Sequence, residues 1–168
     1  RIEQSVLLMG LLHDVGKATP WFQLRLQDKR YGNDPKSKHA RLSAIIANWV
    51  IDHLDLDEMN KAWIRYSTVA GIAKHHTNLT MNPVKIMKVL RQDFRENPVY
   101  REQIYQMFVP GFEEWLSDEL NGYGLSCTLE SMSFENICKS IDGVNTLFEN
   151  PYQNIEDSLD FLTAFGLL

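Results

Sequence analysis

The histidines are where this sequence could do chemistry. Four of the five fall at three places: His13-Asp14 with Lys17 shortly after, His39 alone, and the pair His75-His76. Neutral imidazole and carboxylate are natural ligands of first-row transition ions. His13 and Asp14 close an apolar helical stretch that is expected to be buried. A carboxylate buried there is costly unless something compensates, and a cation compensates well. A plain His–Asp hydrogen bond is the alternative. On a continuing helix Lys17 would share the face of His13 and Asp14, where it could meet a phosphate or form a surface ion pair. His39 extends the stripe of Leu42 and Ile46, and His53 lies on the same stripe. Fourteen residues of helix separate the two by about 21 Å, so they cannot share one ion. Asp52 and Asp55 beside His53 favour a structural role for it. His75 and His76 point about 100° apart on a helix. They can face one centre only if the helix ends there, which Thr77-Asn78 suggests.

The elements that must carry these groups are helical. The spacing of Ile2, Val6, Met9 and His13, with leucines between them, predicts a first helix buried on most sides. Thr19-Pro20 reads as a cap followed by a first-turn proline and opens a short helix with Trp21, Phe22 and Leu24. Residues 29–37 read as a loop. A helix over about 38–53 turns Leu42, Ile45, Ile46, Trp49 and Val50 inward. Another, over about 58–76, has Ala62, Tyr66, Val69 and Ala73 as its stripe. Asn82-Pro83, Asn97-Pro98 and Asn150-Pro151 are expected to start helices near 83–95, 98–108 and 151–168. Residues 121–124 form a turn, and a further helix covers about 133–149. No alternating strand pattern or repeat stands out. The expected class is all-α, with residues 1–168 as one domain.

The chain has 168 residues and a net charge of -5, divided unevenly. Residues 1–100 carry 15 Lys and Arg against 10 Asp and Glu, whereas residues 101–168 carry 2 against 12. A basic front fits a phosphate-bearing substrate. Arg25, Lys36, Lys38 and Arg41 gather around the His39 segment, among Trp21, Phe22 and Tyr31. Lys85, Lys88 and Arg91 form a row after the double histidine. These cations are the candidate nucleic-acid contacts, and a solvated charged face is the alternative. The acidic stretch 113–119 is a candidate docking surface. Cys127 and Cys138 lack metal-ligand spacing and are expected to be buried and reduced, as in a cytoplasmic protein. No apolar run reaches the length needed to cross a bilayer. Arg1 at the start and the apolar end suggest a chain trimmed at both termini. No nucleophilic triad and no phosphate-cradling Gly-Lys-Ser/Thr loop is present.

Three motifs together resemble the HD nuclease domain of the CRISPR-associated type I helicase–nuclease family, within the HD phosphohydrolase superfamily. They are His13-Asp14-Val-Gly-Lys17-Ala-Thr-Pro-Trp-Phe-Gln23, Lys38-His39-Ala-Arg-Leu-Ser-Ala44 and Ala73-Lys-His75-His76-Thr-Asn-Leu79. The resemblance covers roughly residues 6–80 and implies an HD helical bundle. It implies that Asp14 bridges two ions, with His13 on the first, His39, His75 and His76 on the second, and Lys17 near the substrate phosphate. The family's earlier histidine and later aspartate are not identifiable here; Asp157 and Asp160 are weaker candidates for the latter. One or two ions are therefore expected. Two ions about 3.5–4 Å apart can clamp a phosphodiester. A histidine-rich set suits manganese, nickel, cobalt or iron better than magnesium, which prefers oxygen. The implied activity is cleavage of single-stranded DNA, or of RNA. The implied partners are a helicase subunit or domain and an RNA-guided surveillance complex. The alternatives are a superfamily phosphohydrolase acting on nucleotides and a helical adaptor without catalysis.

Overall fold

The computed structural model describes residues 1–34, 36, 38–76, 83–107 and 111–143. The helix expected over 151–168, Asp157 and Asp160, and the side chain of Lys85 lie outside the described residues. Eight α-helices occur among them: α1 Ile2–Leu12, α2 Pro20–Gln27, α3 Ala40–Asp52, α4 Glu58–Lys74, α5 Pro83–Glu96, α6 Pro98–Gln106, α7 Phe112–Gly122 and α8 Phe134–Gly143. No strand is present among the described residues, only an isolated antiparallel bridge between Leu54 and Cys127. The all-α class holds.

The centre of the bundle is the hairpin of α3 and α4, joined by a short link that makes the two helices antiparallel neighbours. Residues 42–51 of α3 and 62–70 of α4 are all buried. The expected stripes are thus only part of the buried surface, because α1, α5 and α8 wrap the pair. The hairpin has a consequence for the site. The start of α3, with His39, lies beside the end of α4, with His75 and His76.

Helix α1 runs parallel to α4 and in step with it. Ser5 and Ser67 share a buried hydrogen bond of 2.7 Å. Four residues on, a Cβ at Gly71 would stand 2.4 Å from Met9 Sδ. Four residues further, the rings of His13 and His75 meet edge to face at 5.5 Å. This register carries the end of α1 to the end of α4 that bears the double histidine. α1 is less buried than its composition suggests. Ser5, Leu8 and Leu12 are covered, but Val6 is 58% exposed, because α1 packs on the outside of α4 and covers one side only.

Caps mark the helix starts. Thr19 Oγ1 accepts the Phe22 N–H, Asp57 Oδ1 accepts the Asn60 N–H and Asn97 Oδ1 accepts the Val99 N–H. α7 was not expected, although Phe112, Leu116 and Leu120 recur every four residues; Leu116 and Leu120 are buried. The segment expected as loop contains a 3-10 turn, Lys29–Asn33. No helix among the described residues is long and apolar enough to cross a membrane.

Both cysteines are free thiols, but only Cys127 is fully buried; Cys138 is partly buried against the core. Burial pushes the Cys127 thiol up to about 11. The thiolate is the reactive form, so Cys127 is expected to resist iodoacetamide at pH 8 in the native protein and to label only in guanidinium. Peptide mass spectrometry checks this, and native labelling of Cys127 at the denatured rate would contradict it.

Candidate metal centre

His13 is the C-cap of α1 and Asp14 the next residue. The chain then tightens into a 3-10 turn, Val15–Ala18. Lys17 therefore reaches Asp14 through that turn and not along a continuing helix. Its Nζ donates to Asp14 Oδ2 at 2.7 Å. The turn lies against the start of α3, where the Gly16 N–H donates to Ser43 Oγ at 2.9 Å. His39 caps α3, and His75 and His76 end α4.

Asp14 is the hub. Its Oδ2 lies 3.2 Å from His13 Nε2. Its Oδ1 lies 3.2 Å from His39 Nε2 and 3.9 Å from His75 Nε2. His39 Nε2 and His76 Nε2 are 3.1 Å apart. Ligand atoms of His39, His75 and His76 all fall within 4.8 Å of one another. The structure thus brings His13, Asp14, His39, His75 and His76 together. His53, at the other end of α3, has Nδ1 on the Trp49 carbonyl at 2.8 Å and takes no part.

The centre opens to solvent on one side. His39 is 7% exposed in its side chain, whereas His13 and Asp14 are 42% and 38% exposed. The expectation of a fully buried His-Asp pair is corrected here, since α1 ends at the edge of the bundle.

These residues fit a cation. Asp14 Oδ1 is buried with no hydrogen-bond partner among the described residues, and an unsatisfied buried carboxylate oxygen is costly. His13 Nδ1 faces the Met9 and Gly10 carbonyls at 3.2 and 3.1 Å, and His75 Nδ1 faces the Ile72 carbonyl at 2.6 Å. A proton held on Nδ1 leaves Nε2 with its lone pair toward Asp14, the arrangement of metal-binding histidines. Ligand atoms at 2.0–2.1 Å from a tetrahedral ion stand about 3.3 Å apart, close to the His39–His76 and His39–Asp14 spacings.

Protonation agrees. Burial, then the nearby Lys17 charge, pull His39 down to about 4 despite the opposing Asp14. Burial and the neighbouring His75 and Lys17 lower His76. Burial alone would raise Asp14, but the Lys17 hydrogen bond and the His13 charge together hold it below its usual value. A neutral His39 and His76 beside an ionised Asp14 are the forms a metal requires.

The cations divide into two groups. Arg25 and Lys38 are exposed, Arg25 lying 5.7 Å over the Phe22 ring, and Lys88 is exposed on α5. Lys36 instead pairs with Glu102 at 2.7 Å and lies 5.1 Å over Trp21. Arg41 pairs with Asp93, and Arg91 approaches Asp142 at 3.8 Å. The sequence places Phe22 among the candidate stacking residues and Gly16 and Ser43 inside the motifs, but does not show that the Phe22 ring meets His39 edge to face at 4.9 Å or that Gly16 bonds to Ser43. The small residues within the motifs were the available signal for the last two.

No family model matches the chain, and no solved structure matches it. Over 68 residues it is 37% identical to the CRISPR-associated nuclease/helicase Cas3 of Haloferax volcanii. That stretch is 40% of this chain and 7% of the relative, so the chain corresponds to a small part of that protein.

Proposed function

We propose that this chain is an HD-type, metal-dependent nuclease domain, comprising residues 1–168, that cuts single-stranded DNA. The observation that carries the reading is the convergence of His13, His39 and His75, from three segments, on one carboxylate, with His76 against His39; the carboxylate's Oδ1 is buried and lacks a hydrogen-bond donor among the described residues. The stretch similar to a nuclease/helicase supports it. His39, His75 and His76 would hold one ion with Asp14, and His13 lies on the other side of the same carboxylate, where a second could sit. A manganese, nickel, cobalt or iron ion would supply Lewis acidity and lower the pKa of a bound water. Asp14 fixes the ligands' spacing and holds Lys17, whose side chain is 36% exposed. The Lys17 ammonium meets a substrate phosphate. Arg25, Lys38, Lys85 and Lys88 guide the strand, and Phe22 backs His39. A helicase and an RNA-guided surveillance complex deliver the substrate in the cytoplasm.

The test is cleavage of circular single-stranded DNA with manganese or nickel, before and after chelation. Cutting that is lost on chelation and restored by manganese is expected. Phosphate release from mononucleotides without any cutting of the circle would overturn the nuclease in favour of a nucleotide phosphohydrolase. No metal uptake and no hydrolysis would leave a helical adaptor.

A further inference from the structure

Three of the histidines at the ends of helices have their ring held by the main chain, because Nδ1 of His13, His53 and His75 faces a carbonyl of the preceding turn. His39 has no such bond among the described residues. It stands at the N-cap of α3, before that helix's first turn. Yet it is the most buried of the candidate ligands, and its Nε2 lies nearest to Asp14 Oδ1. Apart from the Phe22 ring and His76 beside it, its aim rests on the backbone on either side.

That backbone is gripped from outside. Three residues before His39, the Lys36 carbonyl accepts the Gln103 Nε2–H at 2.6 Å. The Lys36 ammonium pairs with Glu102 at 2.7 Å. Two residues after His39, Arg41 pairs with Asp93. Gln103 is 1% exposed and its Oε1 has no partner among the described residues. A buried amide that leaves one end unsatisfied is a poor way to stabilise a fold, so its Nε2 contact with the loop is what it contributes.

We propose that Gln103 and Glu102 of α6 are positioning residues for the metal centre: they grip Lys36 and thereby fix the approach of His39 to Asp14. The proposal rests on the metal-centre reading above. Lys36 is then part of the clamp, and the substrate strand is left to the exposed cations. Supporting residues around a metal commonly contribute 10–100-fold in affinity.

The test is cobalt binding to the full chain, by equilibrium dialysis and by the visible absorption of the bound ion, for wild type, Gln103→Met and Glu102→Ala. Methionine keeps the shape of Gln103 and removes both the donor and the orphaned oxygen, so thermal stability changes little. Gln103→Met is expected to raise the cobalt Kd about tenfold and to shift the absorption bands. A bystander glutamine would move neither. Glu102→Ala is expected to raise Kd about threefold, as befits a half-exposed ion pair. Glu102 is on the surface, so this variant decides the matter if Gln103→Met fails to fold. Wild-type affinity and bands in the folded variants would overturn the clamp alone. Absence of cobalt uptake by the wild type would overturn the metal centre, and the clamp with it.

Discussion

Asp14→Ala is expected to remove metal-supported cleavage of circular single-stranded DNA, and to weaken manganese or cobalt binding by more than about 100-fold, since even supporting groups are worth 10–100-fold. The size follows from the sharing. One carboxylate stands between His13 on one oxygen and His39 and His75 on the other. Without it, four imidazoles face one another with no negative charge to balance a divalent ion, and Lys17 loses the partner that holds its ammonium at the centre. The metal-free protein should behave differently. Asp14 Oδ1 is buried without a hydrogen bond among the described residues, so its removal relieves a cost while the Lys17 pair is lost. The two effects oppose, and the melting temperature of the apo-protein is expected to move little. A variant that is folded, metal-free and inactive separates a ligand from a scaffold residue. Cleavage by Asp14→Ala within tenfold of wild type would refute its role.

Manganese should also stabilise the wild type and not this variant. An ion at 100 times its Kd contributes about 2.7 kcal/mol to the native state. For a chain of this length that is a rise of roughly 5–10 °C in melting temperature, readable by thermal shift. Equal shifts in wild type and Asp14→Ala would mean that the ion binds elsewhere.

The convergence itself was legible because helix geometry is. His39 opens the stripe of Leu42 and Ile46 and His76 closes that of Ala62 and Val69, and two helices joined by a short link put such ends together. The Ser5–Ser67 and Met9–Gly71 contacts that bring His13 to His75 were not legible. They are pairings across 62 residues, and nothing in either segment announces its partner. The same holds for Lys36 with Glu102 and Arg41 with Asp93. A cation in a sequence looks alike whether it awaits a phosphate or already has a carboxylate. Exposure was misjudged for a related reason. The composition of α1 suits burial on most sides, but its position outside α4 leaves Val6 in solvent and the His-Asp pair at the rim.

Gly16 shows how closely the packing of these elements sets the chemistry. A Cβ there would stand 2.6 Å from the His39 carbonyl oxygen and 3.0 Å from Ser43 Oγ. The first obstacle is main chain at the root of α3, so no rotamer change relieves it. Either the 3-10 turn or the start of α3 must move, and both carry ligands: Asp14 lies two residues before Gly16, and the obstructing carbonyl is that of His39. Gly16→Ala is therefore expected to lower stability by about 2 kcal/mol, as overpacking commonly does, a fall of roughly 4–8 °C for a domain of this size. It should also weaken cobalt binding more than tenfold, because the Asp14–His39 spacing of 3.2 Å is what the added methyl group spreads. Two other glycines calibrate the result. At Gly71 the contact is nominally shorter, 2.4 Å, but the obstacle is the sulfur of Met9, the mobile end of a flexible side chain, so Gly71→Ala should be milder in both measurements. Gly10 has nothing within 4 Å of its Cβ position and sits in the exposed face of α1, where alanine is expected to stabilise by about 0.5–1 kcal/mol. Thermal melts and cobalt titrations of the three variants check the order. If Gly16→Ala matched Gly10→Ala in both, the tight seam between the turn and α3 would not be what holds Asp14 and His39 in register.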